Sequence, residues 1–101
     1  MAKEIILYNL APHVTDEDYA KYVRDKKGPF FNGLAGVKKF TLVKITRSQK
    51  GEIPYRYVGI VDIENEAEWG QSASSPAFGE FIKEWTAKVA DFHILSGEEV
   101  Y

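Results

Sequence analysis

YRYVGIVDI, residues 55–63, carries apolar side chains on both of its faces. Alternation along an extended strand puts Tyr57, Gly59, Val61 and Ile63 on one side and Val58 and Ile60 on the other. Two other stretches read the same way. KEIILYNL (residues 3–10) sets Ile5, Leu7 and Asn9 against Ile6, Tyr8 and Leu10. VKKFTLVKITR (residues 37–47), dense in β-branched residues, sets Val43 and Ile45 against Phe40 and Leu42. Three strands with two apolar faces each need cover on both sides of their sheet.

Between and after them lie helices. Thr15 is placed to cap a first helix, with Asp18 three residues on and Asp16, Glu17 and Asp18 at the positive end of its dipole. Tyr19, Tyr22, Val23 and Lys26 follow at helical spacing, and Gly28-Pro29 predicts a break before an apolar connection over residues 30–36. Asn65 caps a short helix through Trp69, which the small residues Gly70 to Ser75 interrupt. Ser75-Pro76 opens a longer one, whose Phe78, Phe81, Ile82, Trp85 and Val89 form one stripe. Asp91 to Leu95 reads as a fourth strand, and Ser96 to Tyr101 as a tail or edge extension. The order βαββαβ gives an α+β fold in a single domain over residues 1–101, a four-stranded antiparallel sheet with two helices on one face. Both crossovers lie on one side. The other face needs a partner, and a second copy of the chain is the economical one, so a homodimer is expected.

Composition narrows the function. Thirteen basic and fifteen acidic side chains leave a net charge of −2, without the basic excess that nucleic-acid binding draws on. The absence of cysteine excludes disulfides, thiolate metal sites and cysteine nucleophiles. Two histidines, His13 and His93, stand 80 residues apart and make no metal signature. No phosphate-binding glycine loop is present, so no cofactor is expected. No apolar run approaches the length of a membrane span, and the start lacks a signal-peptide pattern, from which a cytoplasmic protein without membrane contact is expected.

Two families share this order of elements. Ile6-Leu7-Tyr8-Asn9-Leu10-Ala11-Pro12 with Val14 to Asp18 resembles an RNA-recognition motif, and Tyr55 and Tyr57 fall where that family stacks bases. Arg56 stands where its glycine belongs, Ile6 stands at the stacking position of the first strand, and the second helix departs from its pattern. The second resemblance spans nearly the whole chain. Tyr22-Val23-Arg24, Pro29, Leu34-Ala35-Gly36-Val37-Lys38-Lys39-Phe40, Tyr57 to Asp62, Ser75-Pro76-Ala77-Phe78, Asp91 to Leu95 and Gly97-Glu98-Glu99 together resemble the dimeric α/β-barrel superfamily, nearest its REDY-like (HapK) group from red tripyrrole, prodigiosin-type pigment clusters. That resemblance implies a ferredoxin-like protomer, two sheets packed into a barrel, and a ligand cleft between helices and sheet. A small aromatic, pyrrole or polyketide-like ligand follows from it.

The catalytic groups of relatives do not carry over. The plant cyclase of the superfamily that makes olivetolic acid carries a histidine-proline-alanine-histidine run at the start of its second helix, where this chain has Ser75-Pro76-Ala77-Phe78, and its partner tyrosine is Ser72 here. EthD-like relatives carry a histidine where this chain has Lys27, before Gly28-Pro29. Lys26-Lys27 and Lys38-Lys39 otherwise read as solvated charge pairs. Helix-two histidines of haem-degrading relatives are absent. The remaining candidates for acid–base work are His93, with an imidazole suited to proton transfer near neutrality, and Tyr8. The plain reading of His93 is a hydrogen-bonded core or interface residue, and that of His13 an exposed loop residue. Tyr8, Tyr22 and Trp85 are candidate ligand contacts on the inner faces of strand and helices, with core packing as their plain reading. Trp69, beside the Gly70–Ser75 break, is a candidate flap residue over the cleft. The expected role is a small-molecule-binding biosynthetic protein, as a cofactor-free cyclase- or isomerase-like helper or as a non-catalytic binder of a reactive intermediate. The alternative from another class is RNA binding.

Overall fold

The computed structural model describes residues 1–101. The chain runs β1 (Ala2–Leu10), α1 (Asp16–Tyr22), a π-helical turn (Val23–Lys27), α2 (Gly28–Asn32), β2 (Val37–Lys44), β3 (Tyr57–Ile63), α3 (Glu66–Ala73), α4 (Pro76–Thr86) and β4 (Val89–Glu98). The strands form one antiparallel sheet in the order β2-β3-β1-β4. Ile6, Tyr8, Tyr57, Val61 and Ile63 are buried beneath the helices together with Tyr19, Tyr22, Phe31 and Trp85. Thr15, Asn65 and Ser75 cap their helices by accepting from Asp18, Glu68 and Phe78 amides, as their positions in the sequence predict.

The elements differ from the sequence reading at their ends. β2 stops at Lys44 rather than Arg47, β3 begins at Tyr57, and β4 extends from Val89 to Glu98 because β1 offers it a full edge to pair with. α3 continues through Gly70-Gln71-Ser72, since helix propensity is a weak prior once a segment is docked. Trp69 therefore stands on a regular helix and not on a flap.

The largest correction concerns Gly28-Pro29. The pair does not end the first helix. The Gly28 amide bonds back to Val23, five residues earlier, and this wide turn absorbs the proline, which lies at the start of α2. One extra residue in the turn moves the buried face on by one position. An unbroken α-helix would put Lys26 inside after Tyr22; the π-turn exposes Lys26 and buries Lys27 and then Phe31.

Gly36, with φ of 90°, shapes the connection into β2. Its carbonyl accepts from the Glu64 and Asn65 amides, and a Cβ there would lie 2.5 Å from the Trp69 nitrogen and 2.7 Å from the Asn65 oxygen. Only glycine lets this loop touch the start of α3.

Candidate functional site

Between the helices and the sheet lies a partly open cavity of about 140 Å³. β1 contributes Glu4 and Ile6, β3 Val61, β4 Ile94, α2 Phe31, α3 Trp69 and Ala73, and α4 Phe78, Phe81, Ile82 and Trp85. An engineered cavity of about 150 Å³ takes up benzene, so the enclosed part of this one fits a single aromatic ring. Apart from Glu4, the polar group on its wall is Lys27, which the π-turn delivers.

Lys27 is 3% exposed and has no carboxylate within salt-bridge distance. Its Nζ lies 3.2 Å from the Tyr8 hydroxyl and 3.1 Å from that of Tyr19. The two phenol oxygens are 2.5 Å apart, and Trp85 Nε1 donates to the Tyr19 oxygen at 2.9 Å. Ring centroids of Tyr8 and Trp85 stand 4.8 Å from the nitrogen, with Phe40 at 5.3 Å and Tyr19 at 5.7 Å.

Hydrogens and lone pairs in this cluster can be matched. With Lys27 as ammonium, the lysine brings three hydrogens and Trp85, Tyr8 and Tyr19 one each, whereas the phenol oxygens offer two lone pairs apiece. Two hydrogens are then without an acceptor in the cluster. With Lys27 as the free amine, the four contacts carry four of the five hydrogens, and one rather than two is without an acceptor. Burial lowers the Lys27 pKa to about 7, while the surrounding ring faces attract the cation. Both protonation states are therefore accessible at neutral pH. The phenols are held in the un-ionised form: burial, then the neighbouring Tyr19, pushes Tyr8 far up, and burial pushes Tyr19 up to about 12.

The structure brings only some of the sequence candidates together. Trp85 and Trp69 line the cavity. Tyr8 is wholly buried behind Lys27, stacked on Tyr57 at 5.6 Å, and reaches the cavity through the lysine. Tyr22 lies in the core beside the cluster, but borders a separate hollow with His13, Asp18 and Lys88; its hydroxyl is buried without a partner. His93 stands opposite Leu7, while its neighbour Ile94 lines the cavity, so the imidazole projects from the other face of the sheet against Tyr55. A cleft base at His93 is excluded by this strand alternation. Tyr57 is buried under α1 with its hydroxyl on Asp16 at 2.7 Å, which removes it as a base-stacking platform.

Lys27 is the residue that sequence reasoning missed, since the pair Lys26-Lys27 reads as surface charge. The available signal was its place before Gly28-Pro29, where EthD-like relatives have a histidine.

Fold and cleft together define a ferredoxin-like α+β protein with a small apolar cavity between helices and sheet. The family model for the REDY-like protein HapK matches residues 2–100, and the chain belongs to that family. HapK from Hahella chejuensis superposes with a TM-score of 0.79 at 17% identity, covering 99% of this chain and 93% of that one. At3g17210 from Arabidopsis thaliana superposes with a TM-score of 0.86 at 14% identity, covering 100% and 97%. The hydroxynitrile lyase from Passiflora edulis superposes with a TM-score of 0.81 at 13% identity, covering 99% and 95%. A search of the curated protein sequences finds no match to the chain.

Proposed function

We propose that this chain binds a flat, largely apolar ligand in the cavity between helices and sheet, with an oxygen acceptor of the ligand on Lys27. The observation that carries the reading is the buried lysine on an otherwise apolar wall. In its protonated form the cluster has hydrogens to spare, and a carbonyl, enolate or phenolate oxygen would take them. Binding such a ligand favours the ammonium, so it draws a proton from solution near neutral pH. The same group fits cofactor-free proton transfer, with Lys27 as acid or base, Tyr8 and Tyr19 orienting it, and the aromatic walls excluding water. Membership of the REDY-like family supports a place in small-molecule biosynthesis, with tripyrrole (prodigiosin-type) pigment formation as the named pathway. Two copies paired through the open sheet face complete the assembly.

The test is a panel of one- and two-ring phenols and aromatic ketones beside their hydrocarbon counterparts, followed through the Trp69 and Trp85 indole N–H signals in NMR spectra. Oxygen-bearing members are expected to bind more tightly, with proton uptake at pH 7–8, and Lys27→Met to erase that preference. Equal affinities across the panel, or a preference that survives Lys27→Met, would overturn the reading.

A further inference from the structure

We propose that the Lys27 amine is a nucleophile that condenses with an aromatic aldehyde in the cavity and holds it as an imine. This rests on the reading of the cavity as a ligand site and goes one step beyond it, from an oxygen held by hydrogen bonds to a carbon held by a covalent bond.

The argument begins with placement. A lysine wanted only for its charge belongs at the surface or beside a carboxylate, and Lys27 has neither. A lysine wanted only for its volume is poorly chosen, because a methionine would fill the space without burying a nitrogen. The site favours the free amine: the four contacts among Lys27, Tyr8, Tyr19 and Trp85 leave two hydrogens unpaired when the nitrogen is protonated and one when it is not. An amine desolvated among aromatic rings is the reactive form that imine-forming lysines require. With its pKa lowered to about 7 by burial, Lys27 carries free base at neutrality, where an ordinary lysine is almost wholly protonated.

The surroundings supply the other requirements. One aromatic ring fits the space, and the ring and carbonyl of an aromatic aldehyde match an apolar wall that Lys27 shares. In the first step the nitrogen lone pair forms a bond to the carbonyl carbon, the carbonyl π pair moves to oxygen, and a proton passes from nitrogen to that oxygen by way of the phenols. In the second the hydroxyl departs as water with a proton from the phenol pair. The nitrogen lone pair then closes the C=N bond and the nitrogen returns its remaining proton to the phenols. Amine and aldehyde thus become imine and water, with no oxidant, reductant or metal. Besides Lys27, the titratable groups at the site are Tyr8 and Tyr19 against the nitrogen, Tyr57 stacked on Tyr8, and Glu4 on the cavity wall.

The experiment treats the full chain with benzaldehyde and sodium cyanoborohydride at a series of pH values, and locates the label by intact mass and peptide mapping. The expected result is one benzyl group per chain on Lys27, with the exposed neighbour Lys26 unlabelled over the same time. The labelling rate should rise through a midpoint near pH 7, and Lys27→Met should abolish the label. Mapping in the unaltered chain keeps the test valid if that variant folds poorly. Label spread over surface lysines, or a rate that climbs only toward pH 10, overturns the proposal. Benzyl alcohol, which has the same ring and cannot form an imine, separates the two readings. If it shifts the Trp85 indole signal while benzaldehyde leaves no adduct, the imine is wrong and the ligand site stands; if neither compound binds, both fall.

Discussion

Lys27 Nζ sits 3.2 Å from the Tyr8 hydroxyl, the β1 phenol that lies wholly buried behind it, with no carboxylate within salt-bridge distance of the nitrogen. A buried cation whose polar partners are neutral makes the fold most vulnerable where the lysine must be charged.

Stability should therefore climb from neutral into alkaline pH. Below about pH 7 the folded and unfolded chains both carry the Lys27 proton; between there and the ordinary lysine value of 10.5 only the unfolded chain does. The unfolded state binds more protons across that window, so unfolding free energy rises with pH, by roughly 5 kcal/mol over the whole span. Tyr8, Tyr19, Tyr22 and Tyr57 act in the opposite sense. Burial raises each phenol, so their contribution is present below pH 10 and is lost above it. Urea unfolding from pH 6 to 11 should show a maximum between pH 9 and 10. Lys27→Met should flatten the rise and be about 1–4 kcal/mol more stable than the parent at pH 6, as apolar replacements of buried charges are. A Lys27→Met variant that is less stable at pH 6 would show that the ring faces and phenols fully compensate the charge.

Tyr19→Phe tests the hub of the same cluster. The Tyr19 oxygen accepts from Trp85 Nε1, is 3.1 Å from Lys27 and is 2.5 Å from the Tyr8 oxygen. Removing it strands the buried indole N–H, which costs about 1–3 kcal/mol. Chemical denaturation at pH 8 reads that loss, and the Trp85 indole signal should move with it. Tyr8→Phe leaves Tyr19 to serve both donors and should cost less.

Where the sequence succeeded and failed follows from which interactions are local. Strand alternation placed Ile6 and Tyr8 on one face and Ile5 and Leu7 on the other without knowledge of any partner. Capping by Thr15, Asn65 and Ser75 is likewise a matter of a few neighbouring residues. Lys27 was hidden because its burial depends on a hydrogen-bond register, Gly28 to Val23, that periodicity at 3.6 residues cannot express. His93 was ambiguous for the complementary reason: which face it occupies is set by its pairing with Leu7, and an irregular step in the β1–β4 ladder and the left-handed Asp91, φ 54°, precede it.

Two glycines should respond oppositely to alanine. At Gly36, φ of 90° and a Cβ 2.5 Å from the Trp69 nitrogen leave no room, so Gly36→Ala must displace the start of α3. A loss of about 2 kcal/mol or more is expected, with a changed Trp69 environment in fluorescence. Gly79 lies in α4 with nothing near its missing Cβ, and Gly79→Ala should stabilise by about 0.5–1 kcal/mol. A Gly36→Ala chain as stable as the parent would mean that α3 does not depend on this loop for its position.

The uncovered sheet face argues for a second copy of the chain. Pairing register lays Val43, Val58, Leu7 and His93 in one row across the sheet and Thr41, Ile60, Ile5 and Leu95 in the next. Val43 and Leu95 are 42% and 48% exposed, and Ile5, Leu7, Val58 and Ile60 are only half-buried. Six of these eight residues are apolar, a partly exposed patch of a kind that soluble monomers rarely present. A two-fold pairing of the surface with itself would cover both copies at once. Light scattering should give a mass near twice 11.5 kDa across a range of concentrations. Leu7→Glu puts a charge at the centre of the paired face, on the opposite side of β1 from Tyr8, and should yield monomers whose Lys27 cluster still forms. If the parent chain instead remains monomeric at high concentration, the open face has another occupant, and His93 would then be free at its edge.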